Sequence, residues 1–166
     1  MKNNLRLTYC GIITAISVVI MLFTSLIPVG LYALPAIAGC FITSVEKEIN
    51  FKWSILTYIA VSIVSIILVA EKESVLMFIF FFGYYPVLKI KIESYKSKII
   101  KTLLKFLCFN ISVILVYFIA LRVLNISEDE FEFLGHYVPG IFLLLGNVVF
   151  YVYDYSLLGV SAYYDK

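Results

Sequence analysis

The chain has 166 residues, 63% of them apolar and only 14% charged, whereas a soluble domain carries about 45–50% apolar and about 25% charged residues. Water is therefore not its main solvent, and a formal charge of +2 is too small to argue for a nucleic-acid partner. With about 20 mostly apolar residues needed per crossing, the length holds about six spans and no separate soluble domain, which predicts an all-α, polytopic membrane bundle forming one integral domain over residues 1–166.

The first apolar run covers residues 7–27. Lys2 and Arg6 ahead of it resemble the basic start of a signal peptide, and Ala36-Ile37-Ala38 superficially resembles a cleavage site. The run is longer than the about 7–15 residues of a signal-peptide core, so it reads as a retained first helix. Pro28 and Gly30 break the helix and permit a tight turn before the second run, residues 29–45, so the two form a helical hairpin. The third run is 53–70. The fourth, 75–88, is the weakest, because it is short and Pro86 interrupts it; it extends to 92 if Lys89 and Lys91 snorkel to the headgroups or if it lies buried among its neighbours. Runs 99–124 and 137–160 complete six. Five spans with a re-entrant segment is the alternative count.

The basic residues support six, since cytoplasmic loops hold the excess of Lys and Arg. With the N-terminus inside, eleven basic residues fall on the inner side and two, Lys72 and Arg122, on the outer. Glu128, Asp129, Glu130 and Glu132 then face outward, and both termini lie in the cytoplasm.

Small and polar positions carry the candidate sites. Gly11 and Ala15 sit four apart on the first helix, with Thr14 and Val18 continuing that face, a stripe that lets another backbone approach closely. It serves either docking of another membrane protein or packing within the chain. Ala33, Ala36 and Cys40 form a second small face, read as internal. Asn110 and Asn147 lie mid-span, each with a tyrosine on its face, Tyr117 and Tyr151. Polar groups in hydrocarbon are costly and by default functional, so the pair either lines a ligand site or makes one interhelical hydrogen bond. Asp154 lies on the same face as Asn147 but nearer the cytoplasm, within reach of Lys89 or Lys105. An ion pair holding the inner helix ends together is the first reading, a proton relay the second. Residues 78–86, Phe-Ile-Phe-Phe-Phe-Gly-Tyr-Tyr-Pro, place Tyr84 and Tyr85 as an interfacial belt, with Gly83 and Pro86 loosening the helix into a kinked anchor or a hinge beside a partner.

Catalysis is poorly supported. His136 is the single histidine, and no metalloprotease, nucleophile-elbow or phosphate-loop motif occurs, so the chain is expected to be no enzyme, to need no cofactor or metal and to hydrolyse no nucleotide. Cys10, Cys40 and Cys108 lie inside apolar runs without CxxC spacing and read as packing residues.

With Gly11-Ile12-Ile13-Thr14-Ala15 on the first helix and Leu34-Pro35-Ala36-Ile37-Ala38-Gly39 on the second, the chain resembles the S component, the substrate-binding membrane subunit, of energy-coupling factor (ECF) vitamin transporters. The topology matches over the whole chain and the motifs over about residues 7–70. The resemblance implies six helices, a plasma-membrane location in a bacterium, a micronutrient or vitamin as small-molecule ligand, and a transmembrane coupling subunit with two cytoplasmic ATPases as partners beside membrane lipid. It places the ligand at the outer helix ends and the loops 28–32, 71–74 and 125–136, with Tyr32, Asn110, Tyr117, Arg122, His136 and Asn147 as candidate contacts and Gly11 and Ala15 as the docking face. The net negative outer loops favour a cationic or amine-bearing ligand. A non-transporting scaffold of the cell-wall elongation type is the alternative. A hollow outer half between the first, fifth and sixth helices separates the transporter from the scaffold.

Overall fold

The computed structural model describes residues 3–27, 30–123, 132–133, 136–137 and 139–164. Over these residues the chain is helical apart from short connecting turns and one antiparallel ladder of two short strands, β1 (Glu132–Phe133) and β2 (His136–Tyr137). The helices are α1 (Asn3–Leu22), α2 (Gly30–Glu48), α3 (Phe51–Leu68), α4 (Lys72–Met77), α5 (Tyr85–Glu93), α6 (Lys98–Val123) and α7 (Pro139–Tyr164). A π-helical segment, Phe78–Phe82, joins α4 to α5.

Among the described residues, four stretches are long and apolar enough to cross a membrane: Asn3–Ser25, Phe51–Leu68, Lys72–Glu93 and Lys98–Arg122. These give the chain the character of a membrane protein. The helix α2 spends its last turn on Glu46, Lys47 and Glu48, and the apolar stretch Leu143–Leu157 in α7 is shorter than the four.

Local chemistry explains the breaks between helices. Asn50 separates α2 from α3, its side chain accepting the Trp53 N–H at 3.1 Å as an N-cap. At the other end of α3, the Lys72 ammonium donates to the Ile66 and Val69 carbonyls, both at 2.8 Å, completing bonds that the last turn of a helix leaves open.

Helices α1, α2 and α3 pack through small and hydroxyl residues. Ser17, Thr24, Thr43, Ser44, Ser54, Thr57, Ser62 and Ser65 are all buried. In lipid, burying apolar surface drives helix association weakly, so close backbone approach and polar contacts take over. Ser17 reaches across to the Ala38 carbonyl at 3.3 Å, whereas Ser54 and Thr57 donate to carbonyls of their own helix, Phe51 at 2.8 Å and Trp53 at 2.9 Å. Cys10 is buried, and Cys40 and Cys108 are half-buried against the core.

The stretch from Lys72 to Glu93 is the centre of the bundle. Within its most apolar part 61% of residues are buried inside the protein, against 28–33% in the other three candidate spans. Its π turn has a local cause: the Gly83 N–H bonds the Phe78 carbonyl at 2.7 Å, one residue further back than an α-helix would. That shift frees the Ile79 carbonyl, and Tyr58 donates its hydroxyl to it at 2.7 Å. Pro86 falls in the first turn of α5, where its missing N–H costs nothing.

One expectation is corrected here, and one open alternative is decided. Tyr84 and Tyr85 do not form an interfacial belt: Tyr85 is wholly buried, and Tyr84 is half-buried with its hydroxyl 2.9 Å from that of Ser112 on α6. Of the two ways offered for the fourth run to extend past Leu88, burial among its neighbours holds in place of snorkelling by Lys89. Lys89 is buried because an acidic partner on α7 meets it inside the bundle, while Lys91 lies 3.3 Å over the Phe51 ring.

Candidate functional site

Where the fourth apolar segment, α6 and α7 diverge, they leave a cavity of about 660 Å³, within the range of small-molecule sites. Its wall on the central segment is Glu73, Met77, Phe81 and Phe82; on α6 it is Phe109, Val113, Val116 and Tyr117; on α7 it is Leu143, Gly146, Phe150 and Tyr153, and Tyr32 at the start of α2 reaches in. Small residues keep the space open: Ala120 and Gly140 also border it, and a Cβ on Gly146 would stand 3.3 Å from the Phe109 ring.

Aromatic rings form a cross-linked wall. Phe109 stacks on Phe150 at 4.7 Å, Phe81 meets both edge-on at 5.3 and 5.7 Å, and Phe82 meets Tyr153 edge-on at 5.3 Å. Such offset and edge-to-face pairs resist rearrangement. The polar element stands at one side, where Tyr32 donates its hydroxyl to the Glu73 carboxylate.

Beneath the aromatic wall lies a charged cluster. Tyr85 stacks against Phe81 at 4.7 Å and donates its hydroxyl to Asp154 at 2.6 Å. Asp154 is paired with Lys89 at 2.7 Å and Lys105 at 3.0 Å, and Lys89 also donates to the Asp154 backbone carbonyl. Lys105 bridges to Glu93, which Lys101 meets at 3.2 Å. One carboxylate on α7 thus ties α5 and α6 together at the end of the bundle away from Glu73.

The structure distributes the sequence candidates unevenly. Tyr32 and Tyr117 line the cavity. Asn110 and Asn147 pair with each other, each amide donating to the other's carbonyl oxygen at 2.9 and 3.0 Å, and stand outside the lining. Each also donates to its own helix, at the Phe106 and Leu143 carbonyls, so four donor bonds are satisfied; a pair of this kind contributes about 0.6 kcal/mol on average in membrane proteins. Arg122 is exposed at the end of α6 and is not part of the lining. The His136 side chain and residues 124–131 lie outside the described residues. Gly11 and Ala15 face out of the bundle: both are exposed, and a Cβ on Gly11 would meet nothing within 4 Å. Asp154, Lys89 and Lys105 form one cluster. Helix α1, expected beside the hollow, contributes no residue to its lining among those described.

The rings of Phe109, Phe150 and Tyr153 are absent from the candidates drawn from sequence; Glu73 lies in the loop 71–74 that the resemblance places at the ligand without being named as a contact, and Phe81 falls in the aromatic stretch 78–86 read as an anchor or hinge. A signal existed for the rings: Phe81 and Tyr85 are spaced i, i+4, as are Phe150 and Asp154, which puts each pair on one helix face.

Among the described residues no three metal-ligating side chains converge. No family model, no curated protein and no solved structure matches the chain, so a functional reading rests on its own geometry.

Proposed function

We propose that the chain is the substrate-binding membrane subunit of a micronutrient or vitamin uptake transporter, resembling the S components of ECF systems, and that it crosses the plasma membrane six times with both termini inside. The cavity carries this reading. A packed bundle serves a scaffold as well as a hollow one does, whereas a space of about 660 Å³ walled by aromatic rings with one polar corner is what holding a small molecule requires. Its polar corner lies opposite the Lys89, Lys101 and Lys105 cluster, which the excess of basic residues assigns to the cytoplasmic side, so the ligand is met from outside. The energy for uptake comes from a coupling subunit and its ATPases, and the outward face of Gly11 and Ala15 offers a close-approach surface for that subunit.

Topology is tested by cysteine labelling of intact cells, in a background lacking the three native cysteines. A probe at Ala70 should be modified by a membrane-impermeant maleimide and one at Ser94 spared; both positions are exposed and flank the central segment. Labelling of the Ser94 probe in sealed cells would end the six-span arrangement.

The docking face is tested by Ala15→Leu. Because Ala15 is exposed, the larger side chain should leave the melting temperature of the purified protein unchanged while the coupling subunit and ATPases no longer co-purify. A lowered melting temperature with the partners retained would show that Ala15 packs within the chain. Recovery of cell-wall proteins by the wild type, in place of ATPases, would favour the scaffold.

A further inference from the structure

Glu73 is the single charged residue among the described residues lining the cavity. The neighbouring Lys72 cannot neutralise it at short range, because its ammonium is bound to the Ile66 and Val69 carbonyls at the end of α3. Tyr32 donates one hydrogen bond to the carboxylate, and a carboxylate accepts about four. The remaining wall is almost wholly apolar and aromatic, and on one side it is unroofed: Ile114 and Phe118 of α6 and Leu145 and Val149 of α7 border the cavity and are 44–67% exposed on the flank of the bundle. In a membrane that flank meets lipid tails.

Resting on the reading of this cavity as the ligand site, we propose that its ligand is an amphiphilic monocation, with the cationic head at Glu73 and Tyr32 and the apolar body along the aromatic wall toward the open flank between α6 and α7. An anion would be repelled by Glu73. A dication would leave one charge unpaired against apolar walls, which is costly. A cation at the carboxylate gains a Coulomb attraction that the apolar surroundings screen less than water would.

The test is equilibrium binding of radiolabelled octyltrimethylammonium to the full chain in phosphatidylcholine nanodiscs, corrected by empty nanodiscs. Two competitors dissect the ligand: 2,2-dimethyldecane, its neutral isostere, and tetramethylammonium, the head alone. Saturable binding is expected, with 2,2-dimethyldecane at least about tenfold weaker because it lacks the attraction of the charge to the carboxylate, tetramethylammonium at least about tenfold weaker because it lacks the buried chain, and Glu73→Gln abolishing the preference for the cation over its isostere. Equal competition by 2,2-dimethyldecane would overturn the cationic head while leaving the cavity a ligand site. Equal competition by tetramethylammonium would overturn the apolar body. Absence of saturable binding by any probe would overturn this proposal together with the cavity reading beneath it. The competition series needs only the wild-type chain, so a variant that fails to fold does not protect the proposal.

Discussion

Replacing Asp154 by Asn is expected to lower stability by about 3 kcal/mol, the lower end of the range for breaking a buried pair by removing one partner. The side chain of Lys89 is 6% exposed and that of Asp154 16%, so water does little to screen them. The amide keeps the shape and can still accept from Tyr85, but it removes the charge that Lys89 faces inside the bundle. Lys105 is less dependent, since Glu93 remains beside it. Lys105→Gln should therefore cost clearly less than Asp154→Asn, because Lys89 and Tyr85 continue to hold the carboxylate. Chemical denaturation in mild detergent, followed by far-ultraviolet circular dichroism, measures both variants. Equal losses for the two would refute the view that Asp154 organises the cluster. Unchanged stability of Asp154→Asn with uptake abolished would revive the proton relay.

Gly39→Ala is expected to be about as damaging, although it adds a single carbon. A Cβ at Gly39 would stand 2.0 Å from the Phe82 carbonyl oxygen and 2.9 Å from its carbon. These are backbone atoms of the π segment, and they cannot turn aside as a flexible side chain would. Overpacking usually costs about 1–3 kcal/mol, and here relief requires α2 to move off the central segment, so the upper end or beyond is expected. Gly11→Ala is the control: its Cβ meets nothing within 4 Å, and replacing glycine within a helix by alanine should stabilise it by about 0.5–1 kcal/mol. Melting temperatures of the two purified variants decide the matter. A Gly39→Ala protein as stable as the wild type would mean that α2 and the π segment are held further apart than described.

The two variants share a lesson about reading this chain. Gly11 and Gly39 look alike in sequence, each on an apolar helix with other small residues one turn away. In sequence Gly11 offers a small face for docking or for packing within the chain and Gly39 stands in the motif of the second helix, yet the close backbone contact within the fold is at Gly39. Helix periodicity shows that a face is small, while what stands against it depends on where the other helices are.

The same division runs through the candidate site. Helical, membrane-type character follows from composition and run length, because a chain this apolar partitions into lipid, where no water is present and its backbone hydrogen bonds must be satisfied internally. The closeness of Asp154 to Lys89 and Lys105 was within reach for a related reason: a charge deep in an apolar run is costly alone, and the nearest opposite charges lay at the same depth. Tyr32 follows from the resemblance and Tyr117 from sharing a helix face with Asn110, and both border the cavity. Tertiary structure decided between the two readings of Asn110 and Asn147 by pairing them with each other, buried Tyr85 above Asp154, and made Glu73, out of the loop 71–74, the charged residue among those described on the cavity wall. Those outcomes depend on the rotation of each helix about its own axis and on the one-residue shift at the π turn. Both are set by contacts between segments far apart in the chain, and a periodic apolar pattern determines neither.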